Sequence, residues 1–62
     1  MITLEAQITE VKRELALRSR VYPRWVSCGK LKRERADSLL EAMQAVLETL
    51  EALRNSQEAP PP

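Results

Sequence analysis

The sequence predicts an all-α fold, an antiparallel two-helix hairpin, on three observations. The chain of 62 residues is 44% hydrophobic and 31% charged but only 3% aromatic, with one glycine and no histidine or phenylalanine. That is the profile of amphipathic helices, not of a sheet or a disordered chain. Two stretches, Thr3 to about Val26 and Leu31 to Arg54, carry apolar residues at alternating steps of three and four. Between them, Ser27 to Lys30 contains the single glycine, Gly29, where a helix can end and the chain can reverse.

Helix 1 is expected over about residues 3–28, with Leu4, Ile8, Val11, Leu15, Arg18, Tyr22 and Trp25 forming one seam. Arg18 is the polar member of that seam. It is expected to reach the surface, to pair with Glu14 one turn away, or to mark register. Pro23 removes an amide donor and disfavours helical geometry at Tyr22, so a kink or break is expected near 22–23. Because the seam keeps its phase from Arg18 through Tyr22 to Trp25, a kinked helix or a turn restarted at Pro23 is favoured over a free loop.

Residues 27–30 form the expected turn, and helix 2 follows over about 31–54, with Ala36, Leu39, Met43, Val46, Leu50 and Leu53 as its seam. A reversal between Lys30 and Leu31 pairs both seams in one register. It sets Trp25 over Ala36, Tyr22 over Leu39, Arg18 opposite Met43, Leu15 opposite Val46, Val11 over Leu50 and Ile8 over Leu53. Residues 1–54 thus make one hairpin domain, and residues 55–62, ending in three prolines, are expected to form a flexible tail.

Two helices of this length bury little apolar surface relative to the entropy of ordering the chain, so a second interface is expected. Leu17 and Val21 on helix 1 and Leu40 and Leu47 on helix 2 lie outside the strict seam and are the candidate oligomer contacts. A homodimer in a four-helix arrangement follows. The alternative is that these residues merely widen the stripe within one hairpin.

The net charge is only +1, yet it is unevenly distributed. Residues 12–35 hold nine basic residues against Glu14 and Glu34, a local balance of +7, while the flanking segments are acidic. Folding at the middle makes a rod with a positive turn end and a negative open end. Arg18, Arg20 and Arg24 sit near the C-terminus of helix 1, where the helix dipole favours cations. Lys30, Lys32, Arg33 and Arg35 crowd the N-terminus of helix 2, where it disfavours them, and no Ser, Thr, Asp or Asn directly precedes that helix to cap it. A bound phosphate or carboxylate would relieve both features.

The candidate binding residues are therefore Arg20, Arg24, Lys30, Lys32, Arg33 and Arg35 for charge, with Tyr22 and Trp25 for stacking or anchoring. A purely structural role for the two rings, as the last layers of the core, is the competing reading. No catalytic residues, metal site or cofactor are expected: without histidine the chain has no Ser-His-Asp or Cys-His arrangement and no Cys/His zinc set. The lone Cys28 has no disulfide partner within the chain and no base beside it, and it fits a reducing cytoplasm. The N-terminal residues lack the pattern of a signal peptide and no apolar run is long enough to span a bilayer, so a soluble protein without membrane partners is expected.

The stretch Arg13-Glu14-Leu15, Arg18, Val21-Tyr22-Pro23, Val26, Gly29 and Leu31, followed by a helix with Met43-Gln44-Ala45, resembles a group of small bacteriophage and prophage proteins. Their shared pattern is R-E-L-x-x-R-x-x-V-Y-P-x-x-V-x-x-G-x-L. The likeness covers about residues 13–50 and implies an origin, a phage accessory protein in the bacterial host cytoplasm, without supplying a biochemical activity. Small phage proteins of this kind commonly act by stoichiometric binding, including inhibition of host defence. The expectation is a non-catalytic accessory protein whose basic end engages an anionic host target, a defence component or its nucleotide signal. The alternatives are a DNA- or RNA-binding factor in phage replication, recombination or regulation, and a structural assembly hairpin.

Overall fold

A computed structural model describes residues 1–58 as two helices, α1 (Leu4–Ser27) and α2 (Arg33–Glu58), packed antiparallel along their length. The chain is an all-α helical hairpin. Its extents of 52 × 21 × 16 Å describe a rod one helix thick, a single layer with both broad faces open.

The start of α1 is fixed by Thr3, whose hydroxyl oxygen accepts a hydrogen bond from the Ala6 amide at 3.1 Å and so caps the first turn. The helix then runs through Pro23 without a break, although the ring deprives the Ser19 carbonyl of its usual helical donor. Its end is a Schellman cap. Gly29 adopts φ of +81°, its amide donates to the Val26 carbonyl at 3.2 Å, and the Lys30 amide donates to the Trp25 carbonyl at 2.9 Å. Leu31 donates to that same carbonyl at 3.2 Å. With both amides committed backward, the chain turns only after Leu31, and α2 begins at Arg33, two residues later than expected. At the far end, residues 55–58 continue α2, since Asn55-Ser56-Gln57 contains no breaker and the first proline comes at 60. The remainder of the expected tail, 59–62, lies outside the described residues.

The core is thin: Ile8, Tyr22, Ala36 and Leu47 are its buried apolar residues. The seam of α1 faces its partner through Leu4, Ile8, Val11, Leu15, Arg18 and Tyr22, but Val26 takes the place expected of Trp25, which is 42% exposed. The seam of α2 is turned about its axis. Ala36, Leu40, Met43 and Leu47 face α1, while Val46 and Leu53 stand on the surface, 46% and 47% exposed. The two stripes have the same heptad spacing, and turning Leu40 and Leu47 inward carries Glu51 and Arg54 to the rim. There Lys12 meets Glu51 at 3.8 Å and Arg54 meets Glu5 at 3.6 Å across the helix pair. The Lys12–Glu51 pair flanks the expected Val11–Leu50 layer, so the axial level matches the seam pairing even though the face of α2 does not.

This rotation corrects the expected oligomer contacts. Leu47 is buried within the hairpin and is not free for a second chain, and Leu40 is half-buried as a wall of the helix contact. Leu17 stays 47% exposed and Val21 is half-buried.

Candidate anion-binding end

The turn end is built from the last turns of α1, the loop 28–32 and the first turn of α2. In α2 the Lys32 carbonyl accepts from the Ala36 amide at 2.9 Å, which makes Lys32 the N-cap residue. Unlike Thr3 at the other helix start, Lys32 has no side-chain oxygen, and Arg33 and Arg35 add further positive charge to the same turn. Glu34 is the acidic residue of that turn. The amides of Arg33, Glu34 and Arg35 therefore point outward at the positive end of a helix dipole, surrounded by cations.

The ten cations of the chain divide into two sets. Four are paired: Lys12 with Glu51, Arg13 with Glu10 at 3.0 Å, Arg18 with Glu14 at 2.8 Å, and Arg54 with Glu5. Arg18 is held at the helix–helix rim by that hydrogen bond, which raises its pKa above the ordinary value, with Tyr22 beside it adding to the effect. It resolves the seam anomaly within its own helix and leaves Met43 to apolar contacts. The other six, Arg20, Arg24, Lys30, Lys32, Arg33 and Arg35, are all exposed, and among the described residues none has a carboxylate within salt-bridge distance. These are the six cations singled out by their sequence placement.

Every one of them lies within about 10 Å of the turn along the rod axis, at 1.5 Å per helical residue. They do not share a flat surface. Arg20 and Arg24 stand on the outer side of α1, Arg33 lines a cleft on one broad face, and Arg35 lies toward the other, so the charge forms a collar around the end.

The cleft, of about 200 Å³, is lined by Tyr22, Pro23, Val26, Ser27, Arg33, Ala36, Asp37 and Leu40. Apolar side chains line much of it, and Arg33 and Asp37 bring one positive and one negative charge to its walls, so the cleft itself has no net preference for an anion. The sequence did not single out this cleft.

The two rings have separate roles. Tyr22 is 8% exposed and belongs to the core, whereas Trp25 packs against it at a centroid distance of 5.8 Å, tilted by 31°, with much of its ring open to solvent. Trp25 is thus an available stacking surface beside Arg24. Cys28, the C-cap of α1, is a free, exposed thiol with Sγ 3.7 Å from the Trp25 carbonyl. Among the described residues no group of three or more metal-ligating side chains comes together, and no helix is long and apolar enough to cross a membrane. No protein-family model, curated protein or solved structure matches the chain.

Proposed function

We propose that this hairpin is a non-catalytic binding protein whose turn end engages an anionic partner. The observation that carries the reading is the division of the cations. Ion pairs satisfy the four outside the collar, while among the described residues the six around the turn have no carboxylate within salt-bridge distance, and four of them, Lys30, Lys32, Arg33 and Arg35, crowd a helix start where positive charge is unfavourable. The resemblance of residues 13–50 to small phage and prophage proteins sets the biological context. In that context the chain acts in the bacterial host cytoplasm by stoichiometric binding, blocking a defence component or its nucleotide signal. The same reading has the hairpin working as a homodimer, because a single layer of two helices leaves apolar surface uncovered.

Charge reversal tests it. Lys32→Glu combined with Arg33→Glu should abolish capture of the partner from host lysate while the helical circular dichroism signal stays unchanged. Retained capture would contradict the proposal. A second reading, binding to DNA or RNA, is favoured by the exposed Trp25 ring next to Arg24, which offers base stacking together with a phosphate contact. Polynucleotide binding would show as gel shifts that weaken steeply with salt, and their absence at low salt would leave the protein or small-nucleotide partner.

A further inference from the structure

The two broad faces of the rod are not alike. At 3.6 residues per turn, the Lys12–Glu51 ion pair and the cleft walls Pro23, Ser27, Arg33 and Asp37 fall on one face. Val21 and Trp25 of α1 and Leu39, Val46 and Leu53 of α2 fall on the other, about 120–180° around each helix from Lys12 and Glu51. Along α2 this second face reads Leu39, Ala42, Val46, Thr49, Leu53, a heptad stripe without a charged side chain. A shallow apolar groove beside it is formed by Ala45, Val46, Thr49 and Leu50. Leu39, Val46 and Leu53 of this stripe belong to the seam expected to face α1; Val46 and Leu53 stand on the surface, and Leu39 is half-buried at the edge of the helix contact.

We infer that this stripe is the contact between two copies of the chain, packed antiparallel about a twofold axis at Val46. The inference rests on the homodimer in the proposed function and fixes its face and direction. Three observations select a second copy as the occupant. First, the chain exposes 5085 Å², above the roughly 4,100 Å² of a compact monomer of its mass, as a thin rod with open faces does. A standard interface buries about 800 Å² per partner, and the open faces leave room for one. Second, the midpoint of α2, Arg33–Glu58, falls beside Val46. A twofold axis there overlaps the two α2 helices along their whole length and sets Leu39 of one copy against Leu53 of the other. Third, charge is uneven along the rod: six cations surround the turn, while the open end carries Glu5, Glu10, Glu48 and Glu51 against Lys12, Arg13 and Arg54, a small acidic excess. Antiparallel pairing places each basic end beside the other copy's acidic end, whereas parallel pairing would bring like ends together. Arg35, on the same side as the stripe, then turns toward the second copy, and Arg20, Arg24 and Arg33 remain outside for an anionic partner.

The test uses the full chain in sedimentation equilibrium together with cysteine cross-linking in a Cys28→Ser background. The parent chain should sediment at twice its monomer mass, and Val46→Glu, which sets two carboxylates on the axis, should shift the equilibrium toward monomer by at least tenfold. If Val46→Glu also lost helicity, cross-linking decides on chains that keep it. Under mild oxidation Val46→Cys should form a disulfide dimer by itself. Leu39→Cys and Leu53→Cys should cross-link efficiently only when mixed with each other. Self-linking of all three single variants would overturn the antiparallel arrangement, and a dimer in which none of them links would overturn the face. A parent chain that stays monomeric throughout would overturn the homodimer itself, while the charge-reversal capture experiment would still stand as the separate test of the basic end.

Discussion

Replacing Lys32 by aspartate should make the hairpin more stable and less able to bind anions at the same time. Lys32 occupies the N-cap of α2, where its carbonyl accepts from Ala36 but its side chain offers no acceptor to the amides of the first turn. Thr3 shows what is missing, since its hydroxyl takes the Ala6 amide at 3.1 Å. A good N-cap contributes about 1 kcal/mol over a residue that cannot cap. Removing a cation from the positive end of the helix dipole and adding an anion contributes about 0.3–1 kcal/mol more. The expected gain of about 1.5 kcal/mol corresponds to an unfolding midpoint higher by roughly 6–12 °C in a chain of this size. Thermal unfolding followed by circular dichroism, at one fixed protein concentration, measures it. Lys32→Ser isolates the part due to the added anion, because it supplies the cap and removes the cation without introducing negative charge. The reasoning fails if neither variant gains stability, and its functional half fails if Lys32→Asp binds a polyanion as tightly as the parent.

Other substitutions probe the remaining joints of the fold. Ile8, only 2% exposed, is the most deeply buried side chain, and Ile8→Ala should cost about 2–4 kcal/mol in urea denaturation. Gly29→Ala should cost about 1 kcal/mol from its left-handed backbone alone, as the added methyl group would meet open space; the same denaturation curve reads it. Pro23→Ala should raise the unfolding midpoint, because it returns an amide donor to the Ser19 carbonyl in the interior of α1, with a gain of up to about 3 kcal/mol. Hydrogen exchange at residue 23 would show the restored bond as a protected amide.

Much of the fold was legible because its determinants are local. Thr3 before an apolar-periodic run, Gly29 after one, and two heptad seams that pair in a single register leave a hairpin as the simplest way to bury both. The sequence could not decide which face of α2 turns inward, because that helix is apolar over more than half its circumference. Between its first and last turns the charges Asp37, Glu41, Glu48 and Glu51 fall on one side, so either stripe satisfies the pattern there. The choice was made by long-range contacts, the fit of Leu40 and Leu47 against α1 and the reach of Glu51 to Lys12, which spacing within one helix does not encode. The late start of α2 has a local cause that periodicity does not report, the two amides that Lys30 and Leu31 give to the Trp25 carbonyl in the cap of α1.

At the turn end, the cations were visible as a charge run, and their lack of carboxylate partners could be judged only once the chain was folded. Glu34 sits among them in sequence but makes no salt bridge to any of them. The cleft beside Pro23 was invisible to sequence because its walls come from both helices, Tyr22 to Ser27 on one and Arg33 to Leu40 on the other, and meet only when the pair is packed.

The measurement that bears most directly on the basic turn end is a backbone amide NMR titration with inorganic phosphate and with a short oligonucleotide, each at low and moderate salt. Binding at the collar predicts shifts concentrated at Arg33, Glu34, Arg35 and the Trp25 indole, fading as salt rises, with the amides around Ile8 and Arg54 unmoved. Unchanged spectra with both ligands at low salt, or shifts spread evenly over the rod, would contradict it.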